Sequence, residues 1–168
     1  MQTTRMNRQG GFTLVELIMV MGILAVLAGF FITSYPASQR RARDVQRKSD
    51  LKQYQTALES FANKNDGLYP STLNNPWTLN TLCTALGLTN CPLDPKDNQN
   101  ICQGNTQCRY YYRSDGSGGP TPDATRYVLY GALEKPKTPG AVEVNFVVCS
   151  SGRTQENTTE PTSSSCPS

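Results

Sequence analysis

The feature that most constrains this chain is an apolar run from Phe12 to Tyr35, FTLVELIMVMGILAVLAGFFITSY, in which Glu16 is the only charge in 24 residues. A helix of that length reaches roughly 36 Å, enough to cross a hydrocarbon core of about 30 Å. The competing reading is a secretory signal peptide that is cut away. The run is long for the apolar part of such a signal, and a carboxylate near its start is out of place there. A charge deep in a bilayer helix costs on the order of 2.5–3.5 kcal/mol and is usually paired or functional. Glu16 therefore needs a partner, unless it snorkels to the interface.

Helical character resumes after Pro36. Leu51, Tyr54, Leu58, Phe61 and Ala62 recur at helical spacing and form one stripe. Asp66-Gly67 followed by Tyr69-Pro70 is a stop signal. The expectation is one helix from about Phe12 to Asn65, bent at Pro36. Its first half, 12–35, would lie in lipid, and its second half, 36–65, would pack its stripe against a head formed by residues 66–168.

That head is polar and its core must be thin, so covalent support is expected. All six cysteines, Cys83, Cys91, Cys102, Cys108, Cys149 and Cys166, follow the apolar run, and the chain has no histidine. No pair shows the C-x-x-C spacing of a zinc site. Disulfides formed outside the cytoplasm are the expectation. Six cysteines allow about fifteen pairings, and the local set Cys83–Cys91, Cys102–Cys108 and Cys149–Cys166 is the one anticipated here. Leu79, Leu82, Cys83 and Leu86 share a helical face that ends at Gly87. Three strand-like runs follow, Arg109–Arg113, Arg126–Glu134 and Val142–Val148, and the last alternates apolar with polar residues as a half-buried strand does. Connections rich in Gly and Pro link them. The fold class is thus α+β: a long N-terminal helix on a small three-stranded antiparallel meander. The tail from Ser150 would wander unless Cys166 ties it back.

The formal charge is +3, too small for a dedicated polyanion binder. Arg40, Arg41, Arg43, Arg47 and Lys48 nevertheless cluster just past the apolar run, with Asp44 alone among them. A solvated helix face touching lipid head groups is the plain reading. A groove for nucleic acid or another anionic partner is the sharper one. The positive-inside tendency would place this cluster in the cytoplasm, whereas six oxidisable cysteines place the head outside. Asp115 and Asp123 share one loop, but turn chemistry explains both, and no metal or cofactor is expected. Without histidine the usual acid–base arrangements are missing, and an enzyme is not expected. The triplet Asn157-Thr158-Thr159 fits a glycosylation acceptor pattern that arises readily by chance in so Thr-rich a tail.

The segment GGFTLVEL, from Gly10 to Leu17, resembles the prepilin signal of type IV pilins and type II secretion pseudopilins. SDLKQYQTALESFANKNDGLYPST resembles the segment that follows the membrane part in major pseudopilins. The likeness covers roughly residues 8–75. It implies a leader, residues 1–11, removed by a prepilin peptidase that cuts after Gly11 and methylates Phe12. It also implies a register role for Glu16 as fifth residue of the mature chain. The implied partners are further copies of the chain, minor pilins, a membrane platform protein, an assembly ATPase and membrane lipid. The implied location is a single pass through the bacterial inner membrane, head outside, and then a filament. Pro36 lies slightly later than the family's usual helix proline, and the calcium loop of major pseudopilins has no convincing match. Cys149 with Cys166 is more similar to the C-terminal disulfide loop of true type IV pilins. Two alternatives stay open: a DNA-capturing competence pilin, and a membrane-anchored binding domain that never polymerises.

Overall fold

The computed structural model describes residues 11–73, 75–99, 108–119, 121–134 and 144–167, except for the side chains of 30–34. Most of the anticipated leader, Cys102 and the run 135–143 lie outside the described residues. The chain divides into two compact units, Met1–Gln39 and Arg40–Ser168.

Helix α1, Leu14–Lys64, is 51 residues long, and its helical assignment continues through Pro36. In the first unit its apolar residues are exposed: Leu14 by 74%, Ile18 by 63% and Met19 by 68%. Among the described residues, no helix is long and apolar enough to cross a membrane. The apolar run continues into 30–34, whose side chains are not described.

In the second unit, α1 contributes the anticipated stripe. Leu51, Tyr54, Leu58 and Ala62 are buried, and Phe61 is half-buried. The helix stops where Asp66 takes φ 54° and Gly67 φ 82°. The Gly67 amide reaches back to the Ala62 carbonyl at 2.8 Å, a left-handed C-terminal cap. Strand β1, Trp77–Thr78, leads directly into helix α2, Leu79–Ala85. Gly87 closes α2 in a Schellman turn: its amide bonds the Thr84 carbonyl, and Leu88 bonds that of Cys83, both at 3.1 Å.

Strands β2, Tyr110–Ser114, β3, Tyr127–Ala132, β4, Asn145–Cys149, and β5, Thr154–Asn157, complete an antiparallel sheet in the order β1-β2-β3-β4-β5. Among the described residues the meander has five strands rather than three. The two unanticipated ones are a two-residue edge and a polar segment that owe their conformation to pairing.

Alternation sorts the sheet into two faces. Tyr110, Tyr112, Tyr127, Leu129, Phe146 and Val148 join the α1 stripe in the main core. Gly131 lies opposite Tyr110 in the register. A Cβ there would stand 2.8 Å from the Tyr110 ring, so only glycine lets that ring lie against the sheet. The opposite face carries Val128, Tyr130 and Val147, with Tyr111 and Cys166 packed on them. The Cys149–Cys166 disulfide, 5.7 Å between Cα atoms, draws the tail over this face, and the Gln155 side chain bonds the Pro167 carbonyl at 2.9 Å. For this reason β4 is buried at every position instead of half-buried, as its alternation implied.

Candidate processing and assembly site

At the start of α1, Gly11 and Phe12 are non-helical and exposed, Phe12 by 89%. The Thr13 carbonyl accepts the first helical bond, from Leu17, at 3.2 Å. The Thr13 hydroxyl accepts from the Glu16 amide at 3.2 Å, while the Glu16 carboxylate accepts from the Thr13 amide at 3.2 Å and hydroxyl at 3.1 Å. This is a capping box. Glu16 thus has a partner inside the uncut chain, namely Thr13, which the reading of the sequence passed over. The signal was present in the spacing T-x-x-E.

Past the cap, Ile18, Met19, Gly22, Ile23, Val26 and Leu27 line a shallow apolar groove along the helix. A Cβ at Gly22 would meet nothing within 4 Å. A surface of this kind, continuous and unpartnered, exceeds what a soluble monomer ordinarily exposes.

The basic cluster is different from the solvated face anticipated for it. Arg47 has 0% exposure. Its guanidinium donates to Asp94 through Nε at 2.8 Å and Nη2 at 3.0 Å, and to Asp44 through Nη1 at 2.9 Å. Glu134 lies 3.0 Å from Nη1. Arg43 grips Glu134 with a bidentate pair at 2.7 and 2.6 Å. Asp44 also accepts from the Glu134 amide at 2.8 Å. Lys48 reaches Glu156 at 2.5 Å and stands 5.2 Å from the centre of the Phe146 ring. Arg43, Arg47 and Lys48 therefore face carboxylates of their own chain rather than an outside anion. Arg41 is exposed and Arg40 half-exposed.

These contacts set the local electrostatics. The hydrogen bonds from Arg43 hold the Glu134 carboxyl below its ordinary value. Burial works against the Arg47 charge, but the hydrogen bonds and charges of Asp94, Asp44 and Glu134 outweigh it and raise its pKa. Asp50, one turn on, accepts from the Tyr110 hydroxyl at 2.8 Å. Burial pushes the Asp50 carboxyl up, although that bond opposes the rise.

Two disulfides follow the anticipated local pairing, Cys83–Cys91 and Cys149–Cys166. Cys108 is also disulfide-bonded, and its anticipated partner Cys102 lies outside the described residues. Asp115 is satisfied by the amides of Thr125 and Arg126 at 2.7 and 2.8 Å, and Asp123 accepts from the Ser117 amide at 2.9 Å through Oδ2. Among the described residues, no group of carboxylates, thiols or imidazoles is placed to hold a metal ion. Asn157 accepts from the Thr159 amide and hydroxyl at 3.3 Å, an Asx turn at the end of β5.

Comparison with known proteins bears on the N-terminal part. Residues 6–32 match the family described as "Prokaryotic N-terminal methylation motif". The chain is 37% identical over 67 residues to "Type IV major pilin protein PilA" of Myxococcus xanthus (strain DK1622), covering 39% of this chain and 30% of that protein. It is 38% identical over 63 residues to "Prepilin peptidase-dependent protein D" of Escherichia coli (strain K12), covering 38% of this chain and 43% of that one. The chain thus spans less than half the length of these curated relatives. No solved structure matches it. Over its N-terminal part the chain therefore carries the prokaryotic N-terminal methylation motif at the head of a long helix and is similar there to a type IV major pilin.

Proposed function

We propose that the chain is a structural subunit of a type IV pilus or a type II secretion pseudopilus, cut after Gly11, N-methylated on Phe12 and polymerised through the first half of α1. The observation that carries this reading is the exposed apolar helix face, opened by a single carboxylate at Glu16, behind a Gly-Phe junction. The methylation motif over residues 6–32 supports it.

The physical logic is economical. In the membrane, Leu14, Ile18 and Leu27 face lipid, and in a filament the same residues face other helices. Their apolar surface stays out of water in both states. Gly22 lets a neighbouring helix approach closely. Removing the leader creates an α-amine at Phe12, beside a carboxylate that already accepts from Thr13. An incoming subunit's amine then pairs with Glu16 of its neighbour and sets the register. The partners are prepilin peptidase, a platform protein, an assembly ATPase and other pilins, and the role is structural rather than catalytic.

Mass spectrometry of the mature N-terminus tests the processing step: methylated Phe12 sustains it, and a start beyond Ala28 ends it. Glu16→Leu tests assembly. The variant should be inserted and cleaved yet form no filaments, and filaments of normal abundance would refute the register role.

A further inference from the structure

The loop from Cys91 to Asp97 has two duties that meet on α1. Asp94, on this loop, is 6% exposed and makes both of the Arg47 contacts that come through Nε and Nη2. Two residues earlier, the Pro92 carbonyl accepts from the Tyr54 hydroxyl at 3.0 Å. The loop has a tight internal frame. The Lys96 amide bonds the Asp94 carboxylate at 2.8 Å, and the Asp97 amide bonds the Asp94 carbonyl at 2.9 Å. Its near end is tied covalently to the rest of the head by the disulfide to Cys83 on α2, with Cα atoms 6.1 Å apart. Between α2 and that loop, Gly87–Asn90 is an exposed turn.

We propose that Cys83–Cys91 is a redox latch for the buried ion cluster: closing it seats Asp94 on Arg47, and opening it with a dithiol releases the loop and strips Arg47 of its bidentate partner. The chemistry balances as ordinary exchange. A thiolate of the dithiol attacks Cys91, whose side chain is half-buried while that of Cys83 is 6% exposed. The Cys83–Cys91 bond breaks and a mixed disulfide forms. The second thiol displaces it, so the dithiol leaves as a disulfide with two electrons fewer, and Cys83 and Cys91 end as thiols. Arg47 then stays in the protein interior with Asp44 and Glu134 alone, an arrangement that a desolvated guanidinium tolerates poorly. The helix turn around it loosens, and the head is fully packed only after meeting a thiol oxidant.

Linkage makes this testable from both ends. If closing the disulfide favours the Asp94–Arg47 contact, the contact favours closing by the same factor. The full chain is equilibrated in detergent micelles against mixtures of oxidised and reduced dithiothreitol, and each disulfide is read by alkylation and peptide mass spectrometry. Asp94→Asn should let Cys83–Cys91 open at a reductant ratio about tenfold lower, a shift of about 30 mV, with Cys149–Cys166 unmoved. Conversely, Cys83→Ser with Cys91→Ser should speed amide exchange across 44–54 about tenfold and leave the β3–β4 amides unchanged. Should Asp94→Asn not fold, Tyr54→Phe reads the same equilibrium, with about a threefold shift expected. Midpoints within twofold of the parent, both disulfides moving together, or unchanged exchange at 44–54 would each overturn the latch.

Discussion

Replacing Arg47 by alanine removes one guanidinium and leaves three carboxylates, Asp44, Asp94 and Glu134, all previously within 3.0 Å of it. Their side chains are 6%, 1% and 9% exposed, so water does not readily replace what is lost. Breaking a buried pair by deleting one partner costs about 3–5 kcal/mol, and the lost packing of a fully buried stem adds to that. At about 3 °C per kcal/mol for a domain of this size, the melting temperature should fall by roughly 10–15 °C. The contrast with Arg41→Ala is decisive. That change removes the same charge from an exposed position on the same helix and should stay within about 0.5 kcal/mol. Both variants can be followed by thermal and urea unfolding of the full chain in detergent at pH 7. If Arg47→Ala shifts the midpoint by less than about 1 kcal/mol, or no more than Arg41→Ala does, the cluster is hydrated and is not a determinant of the head.

Acid should weaken the head through the same cluster. Glu134 has a folded pKa below its ordinary 4.5, so its contribution is present above the unfolded value and is lost as pH falls through the folded one. Asp50, raised by burial, acts in the opposite sense, gaining protons sooner in the folded state. Unfolding midpoints measured from pH 6 to 3 should fall less steeply in Glu134→Gln than in the parent, and more steeply in Asp50→Asn. Gly131→Ala should cost about 1–3 kcal/mol by driving a methyl into the Tyr110 ring, and a double-mutant cycle with Tyr110→Ala, which removes that ring, should show coupling. Cys149→Ser with Cys166→Ser should cost about 3 kcal/mol, and should raise hydrophobic-dye binding as the tail leaves Val128, Tyr130 and Val147.

What the sequence disclosed depended on how far apart the cooperating residues lie. The α1 stripe from Leu51 to Ala62 and the turns at Asp66-Gly67 and Gly87 are local patterns, and the structure places them where the spacing implied. Strands β2, β3 and β4 were visible as aromatic and β-branched runs. Strand β5, TQEN, carries no apolar residue, and only its partner β4 makes it a strand. The burial of Arg47 was illegible for the same reason. Within one turn on either side the visible anions are Asp44 and Asp50, while Asp94 and Glu134, which complete the cluster, enter from 47 and 87 residues away. Thr13 is the exception, since its capping partner is three residues on and the spacing alone would have disclosed it.

Those separations also resolve the conflict posed by the basic cluster. While the chain is being inserted, Asp94, Glu134 and Glu156 lie far downstream, so Arg43, Arg47 and Lys48 are bare cations just past the apolar run and would resist translocation. Once the head has folded, the same three are paired within 3.0 Å of carboxylates, and the cluster's field is largely cancelled. On the proposed orientation, with the head outside the membrane, translocation is therefore a barrier met once, and the folded subunit does not carry it forward. The cancellation also weakens the nucleic-acid reading. A phosphate approaching α1 would have to displace Glu134 from a bidentate grip and extract Arg47 from a site with 0% exposure. Its gain is one counterion released per contact, a term that salt erodes, whereas the contacts it must break are short and largely desolvated. Binding built on these residues would loosen the head in proportion to its strength. A filament subunit that retained DNA through them should therefore lose thermal stability on adding DNA, and an unchanged or raised melting temperature together with tight retention would show that the anion is held elsewhere.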